Sequence, residues 1–174
     1  SPYELFRAVR EVQSGVKGAY AIVAIIAGFG LLAFNDPNGI RPLVVGRKDK
    51  SFIVCSETTT LDYLGYDLIH ELSAGETVFI DKNKELHTDQ GTSHKPAFCV
   101  FEYIYFARED SIFSKRLVAS QREALGRSLA KHFINANLKP DVVVDVPSSS
   151  FFCAQGIAEE LGVPLRRGLV KNHY

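Results

Sequence analysis

Three consecutive hydroxyls, Ser148-Ser149-Ser150, follow the run Asp141-VVVDV-Pro147 and precede a helical stripe at Ala154, Ile157, Ala158 and Leu161. A helix that opens directly after a strand turns its first N–H groups and its dipole's positive end toward the connecting turn. Such a triplet can therefore be a plain N-cap or the mouth of an anion site. A second chemically unusual stretch is Phe101 to Ser111, FEYIYFAREDS, with rings at Phe101, Tyr103, Tyr105 and Phe106. Read as a strand it carries rings on both faces around a buried-looking Glu102, which a strand with one wet face does not do.

Other reactive side chains point away from chemistry. Cys55, Cys99 and Cys153 are an odd set without a CxxC pair, which argues against a disulfide framework and fits a reducing compartment. His70, His87, His94 and His132 show no metal-ligand spacing and are assigned no role. Asp36 and Arg41 flank Asp36-Pro37-Asn38-Gly39, where Pro presets one φ and Asn-Gly tolerates positive φ, so they read as turn structure.

The elements that position these residues change character along the 174 residues. Ser1-Pro2-Tyr3-Glu4 opens a helix with Leu5, Val9 and Val12 at helical spacing, ended by Ser14-Gly15. GAYAIVAII and GLLAF predict a hairpin of largely buried strands, followed by short strands at 43–45, 52–55 and 77–80 and a helical turn at 59–64. Residues 81–96 are polar and linker-like, and a domain boundary is placed there, giving parts 1–90 and 91–174. Leu117 to Ile134 reads as a helix with Val118, Leu125, Leu129 and Phe133 on its stripe. The run after Asp141, the next helix and Leu165–Val170 make a βαβ unit with parallel strands. The fold class is therefore α+β followed by α/β.

With 46% apolar and 23% charged residues the chain can bury a core, and its zero formal net charge gives no broad attraction to nucleic acid or membrane. The longest apolar run, Ala19 to Ala33, is broken by Gly28 and Gly30 and falls short of a span. Neither a signal-like start nor any methionine is present, and the chain reads as a piece of a longer, cytoplasmic protein.

Six segments together resemble glutamine phosphoribosylpyrophosphate amidotransferases, in family order: GAYAIVAII, NDPNGIRPLVVG, CSETTTLDYLGYD, AGETVFI, CVFEYIYFAREDS and LGVPLRRGLVKNHY. That resemblance implies the C-terminal part of an N-terminal-nucleophile αββα glutaminase domain (1–90) joined to the start of a type I phosphoribosyltransferase domain (91–174). It implies an enzyme that makes 5-phosphoribosylamine from glutamine and phosphoribosyl pyrophosphate, and a parent protein that is a homo-oligomer. The nucleophilic cysteine would lie upstream of Ser1 and the acidic phosphoribosyl loop downstream of Tyr174, so the chain alone is expected to be inactive.

The same resemblance assigns roles by position. Phe101 and Tyr105 would line a water-excluding passage for ammonia where two domains meet, since water would protonate ammonia. Ser149 would approach the magnesium on phosphoribosyl pyrophosphate, and Lys171 would open a loop over the pyrophosphate. Cys99 matches one ligand of the 4Fe-4S cluster that some members carry. Departures are Ser148 for an acidic residue, Glu109 for Pro and His173 for Arg. Two other readings stay open: another class II glutamine amidotransferase, or a non-catalytic interaction or regulatory module derived from the enzyme.

Overall fold

The computed structural model describes residues 1–172, and the chain divides into two compact units, Ser1–Cys99 and Val100 onward. The break falls at the end of the 81–96 stretch rather than within it. The reason is β7 (Leu86–Asp89), a strand that its polar composition concealed.

In the first unit α1 (Pro2–Gly15) begins as its sequence dictates: the Ser1 ammonium and hydroxyl both donate to the Glu4 carboxylate. β1 (Ala21–Ile26) and β2 (Gly30–Asn35) form the expected hairpin. With β6 (Thr77–Asp81) and β7 they make an antiparallel sheet in the order β1-β2-β6-β7. β3 (Val44–Lys48), β4 (Ser51–Cys55) and β5 (Asp67–Glu71) make a second, in the order β4-β3-β5. Ala33, Val78 and Ile80 of the first sheet meet Leu43, Val45 and Leu72 between the sheets. The opposite face of the first sheet packs Leu32, Phe34 and Phe79 under Val9 of α1. Leu61 of α2 (Thr58–Leu64) lies against Gly46, where a Cβ would approach it to 2.5 Å. The layers therefore run helix, sheet, sheet, helix.

Two expectations need correction here. β1 is not largely buried: Val23 and Ile25 are exposed on this edge strand of the sheet. The inward face of α1 ends on Gln13 rather than Val12. Gln13 is buried because its amide is fully used, donating to the carbonyls of Asn35 (3.1 Å) and Gly75 (2.9 Å) and accepting from the Thr92 N–H (3.0 Å). Asp36 is turn structure as expected. Its buried carboxylate accepts the N–H groups of Asn38 and Ile40 at 3.0 Å each.

In the second unit the aromatic segment is not a strand. Glu102–Phe106 forms a π-helical turn, closed by the Ala107 N–H donating to the Glu102 carbonyl at 3.1 Å. A short hairpin of β8 (Ile112–Phe113) and β9 (Arg116–Leu117) leads into α3 (Val118–Asn135). β10 (Val143–Val144), α4 (Phe151–Leu161) and β11 (Leu165–Arg166) make the βαβ unit, with β10 and β11 parallel. The buried stripe of α3 is Val118, Ala119, Arg122, Gly126 and Ala130, while Leu125 and Leu129 are exposed. Small residues win that face because α4 lies too close for leucine. No described helix is long and apolar enough to cross a membrane.

Candidate functional site

The turn between β10 and α4 carries the serine triplet, and its three hydroxyls part company. Ser150 stands at the N-cap position of α4 but does not bond a helix N–H. Instead its hydroxyl donates to the Val146 carbonyl (2.6 Å) and accepts the Val146 N–H (2.7 Å). This bends the chain back on the end of the strand, so the capping expected of the triplet is replaced by a turn lock. Ser148 and Ser149 are left on opposite sides of that turn.

Ser148 faces the larger recess, of about 520 Å³, with Asp145, Phe151, Phe152, Arg167, Lys171 and Glu109 among its lining residues. Asp145 and Pro147 come from the loop after β10, Phe151 and Phe152 from the first turn of α4, and Arg167 and Lys171 from the chain after β11. Ligands of open α/β sheets bind outside the carboxyl ends of the strands, and this recess lies there. The two phenyl rings meet edge to face at 5.3 Å and form an apolar wall. Arg167 and Lys171 make no ion pair among the described residues. The recess therefore sets two uncommitted cations beside two carboxylates, those of Asp145 and Glu109.

Ser149 lines a smaller recess, of about 230 Å³, with Tyr105, Ile104, Arg122, Leu125 and Cys153. The structure thus brings Ser149 together with Tyr105 and sets Lys171 with Ser148. Phe101 lines neither recess. It is exposed and packs on Phe106 with centroids 6.1 Å apart. His173 lies outside the described residues.

The π turn is held from below by a residue whose part its sequence did not announce. Arg122, on the inner face of α3, is 3% exposed. It donates from Nε to the Tyr103 carbonyl (2.6 Å) and from Nη2 to the Ala107 carbonyl (2.7 Å). Tyr103 turns inward, its ring edge to face with Phe113 and its hydroxyl donating to the Phe113 carbonyl at 3.1 Å. Tyr105 and Phe106 are left outward and exposed. The signal was available only as an arginine on a helix stripe otherwise made of small residues.

The cysteines and the histidines are placed as follows. Cys99 is partly buried at the end of the first unit, with its N–H donating to the Ile40 carbonyl. The chain has three cysteines where a 4Fe-4S cluster takes four thiolates, so its own residues do not fit the cluster. Ser149 offers one neutral hydroxyl and its recess has no carboxylate lining, so these residues alone do not fit a magnesium ion either. His87 gathers with Asp81 and Glu85, their ligand atoms within 4.8 Å. Asp81 is already committed to the hairpin turn: it accepts the Asn83 and Glu85 N–H groups, and the Glu85 N–H foremost, then His87, holds its carboxyl below the usual range. That group is turn structure.

A helix-clad antiparallel double sheet followed by a βαβ unit with a recess at its strand ends defines a mixed α/β protein. No family model matches the chain. It is 41% identical over 182 residues to an amidophosphoribosyltransferase of Haemophilus influenzae, covering 99% of this chain and 36% of that protein. It is 40% identical over 178 residues to the amidophosphoribosyltransferase of Escherichia coli, covering 98% of this chain and 35% of that protein. A solved structure of glutamine phosphoribosylpyrophosphate amidotransferase from B. subtilis, complexed with ADP and GMP, superposes with a TM-score of 0.85 at 35% identity. It covers 95% of this chain and 35% of that one. The chain belongs to the amidophosphoribosyltransferase family and spans about a third of the length of the curated relatives it matches.

Proposed function

We propose that this chain is the middle portion of an enzyme that makes 5-phosphoribosylamine from glutamine and phosphoribosyl pyrophosphate. In this reading residues 1–90 belong to a glutaminase domain and 91–174 to a phosphoribosyltransferase domain. The observation that carries it is the recess at the carboxyl ends of β10 and β11, where Arg167 and Lys171, without an ion pair among the described residues, lie beside the start of α4. Two cations and a helix N-terminus neutralise a phosphorylated ligand and orient it by its charged end. The sugar-phosphate aminating alternative has no observation of its own in favour of it.

The roles divide by recess. Lys171 meets pyrophosphate oxygens from the larger recess, and Ser149 presents its hydroxyl to the phosphoribosyl ligand from the smaller one. Tyr105 and Phe101 present aromatic surface that keeps water from ammonia on its way to the anomeric carbon, because a protonated ammonia has no lone pair to attack with. Cys99 contributes a thiolate only in a protein whose other segments bring three more.

The test compares this chain alone with a protein that also carries the segments flanking it in its relatives. The longer protein is expected to release glutamate from glutamine and to form phosphoribosylamine when phosphoribosyl pyrophosphate is added. The chain alone is expected to do neither, because this reading assigns the nucleophile of the covalent step to a flanking segment. A longer protein that does not consume phosphoribosyl pyrophosphate would remove this reading.

A further inference from the structure

The recess that holds Arg167 and Lys171 also holds a carboxylate whose presence the anion reading does not explain. Asp145 is 8% exposed and lines the recess from the loop after β10. Among the described residues its carboxylate accepts no hydrogen bond and makes no ion pair, although two cationic side chains line the same space. The residue is largely buried, yet its carboxylate oxygens are not among the fully enclosed unsatisfied atoms, so they stay open to what enters the recess. An acceptor held in place and not used by the fold is available to a donor on a ligand.

The chemistry of that ligand follows from the walls. Arg167 and Lys171 fit a phosphate, and a second anionic group beside Asp145 would be repelled. What Asp145 can take is a donor on the same molecule, either a hydroxyl or a cation. A cation held by the protein is disfavoured: the one gathering of three His, Cys, Asp or Glu ligand atoms among the described residues is at Asp81, in the other unit. Phe151 and Phe152 supply an apolar wall suited to the face of a sugar ring.

We propose that Asp145 is a hydroxyl-binding residue of this recess, accepting a hydrogen bond from a sugar hydroxyl of a phosphorylated pentose whose phosphate lies toward Arg167 and Lys171. This assignment rests on the phosphoribosyl reading of the recess and adds the residue that recognises the sugar rather than the phosphate. A charge-assisted hydrogen bond of that kind discriminates a sugar phosphate from a bare phosphate.

The test uses the protein with its flanking segments, with calorimetric titration of ribose 5-phosphate and, as the anion-only probe, pyrophosphate. Asp145→Asn keeps the shape and removes the charge. It is expected to weaken ribose 5-phosphate about tenfold, and to leave pyrophosphate unchanged or bound more tightly, since a nearby negative charge is gone. Asp145→Ala is expected to lose at least as much for the sugar phosphate. Lys171→Ala is expected to weaken both probes. The melting temperature of Asp145→Asn is expected to hold, because no hydrogen bond or ion pair among the described residues is lost; a clear fall would mark Asp145 as structural and overturn the assignment. Equal loss for both probes, or loss for neither, would also overturn it. So would an Asp145→Asn effect that vanishes when magnesium is chelated, which would make the carboxylate a cation ligand. A wild-type protein that fails to bind pyrophosphate would instead overturn the phosphoribosyl reading of the recess.

Discussion

Gly126 on α3 and Gly156 on α4 occupy reciprocal positions at one helix crossing. A Cβ on Gly126 would stand 2.0 Å from the Cys153 carbonyl oxygen, and one on Gly156 would stand 2.1 Å from that of Glu123. Each glycine thus admits the other helix's backbone, and Arg127 bonds Glu159 at 2.7 Å across the same crossing. The βαβ unit and its recess depend on this approach, because α4 carries the serine turn at its start. Alanine in a helix is ordinarily favoured over glycine by about 1 kcal/mol. Here backbone contact at such distances outweighs that gain. Gly156→Ala is expected to destabilise the second unit by about 3 kcal/mol, read as a lower urea midpoint, and a gain in stability would show that the helices can part without loss.

Gln13 ties three segments of the first unit through one amide. Its partners lie at the end of β2, before β6 and beyond β7, and no water is needed to satisfy them. Gln13→Leu has similar bulk but leaves two carbonyls and one N–H without partners. The expected cost is about 3 kcal/mol, and amide exchange at Thr92 should accelerate first. Unchanged exchange at Thr92 would mean that the loop is held by something other than Gln13.

Arg122 bears the same relation to the aromatic turn. Two of its bonds are to carbonyls that the π turn leaves open, those of Tyr103 and Ala107. Arg122→Met keeps the stem and removes the donors, at an expected cost of about 3 kcal/mol. The Ala107 amide, which closes the turn onto Glu102, should lose protection before the rest of α3. Protection that falls uniformly along α3 would assign Arg122 to the helix instead.

How much of this was legible varies with what sets each element. The hairpin at Gly28-Phe29-Gly30, the Asp36 turn and the βαβ order were readable because turn residues and β-branched runs act locally. β5 and β7 were not, since DLIHE and LHTD owe their strand state to pairing with β3 and β6. The stripe of α3 was misread toward Leu125 and Leu129 because leucine outranks glycine on any hydrophobic scale. The helix packs instead through Gly126 and Ala130, whose value is closeness. The π turn of the aromatic segment has no local sign, because Arg122, which holds it, lies nineteen residues on. At the candidate site, Ser149 and Lys171 could be named by resemblance. That they line separate recesses, and that Asp145 lies buried in one of them, are matters of three-dimensional placement.

Ser149→Ala tests the smaller recess in the protein with its flanking segments. Loss of one hydroxyl contact to the phosphoribosyl ligand should cost about 1–3 kcal/mol in phosphoribosyl pyrophosphate use. Glutamate release measured without that ligand should stay nearly unchanged. Equal losses in both assays would show that Ser149 serves the turn that Ser150 locks onto Val146.

The cysteines provide the last expectation, because their surroundings differ in a way that a reagent can read. Burial pushes the thiols of Cys55 and Cys153 up from their ordinary range. For Cys55 a bond to the Glu57 carbonyl at 3.3 Å occupies the S–H as well. The thiolate is the reactive form, so at neutral pH both should alkylate slowly, and their rates should climb only as pH passes above the usual thiol value. The sign is that of a group whose neutral form the fold favours: raising pH forces a buried charge, and stability falls as the thiols ionise. Iodoacetamide labelling read by peptide mass at pH 7 and pH 9.5 checks this. Fast labelling of Cys153 at pH 7 in the folded protein would mean that its recess beside Tyr105 is open to solvent and charged-group stabilised, contrary to the packing of α4 on α3.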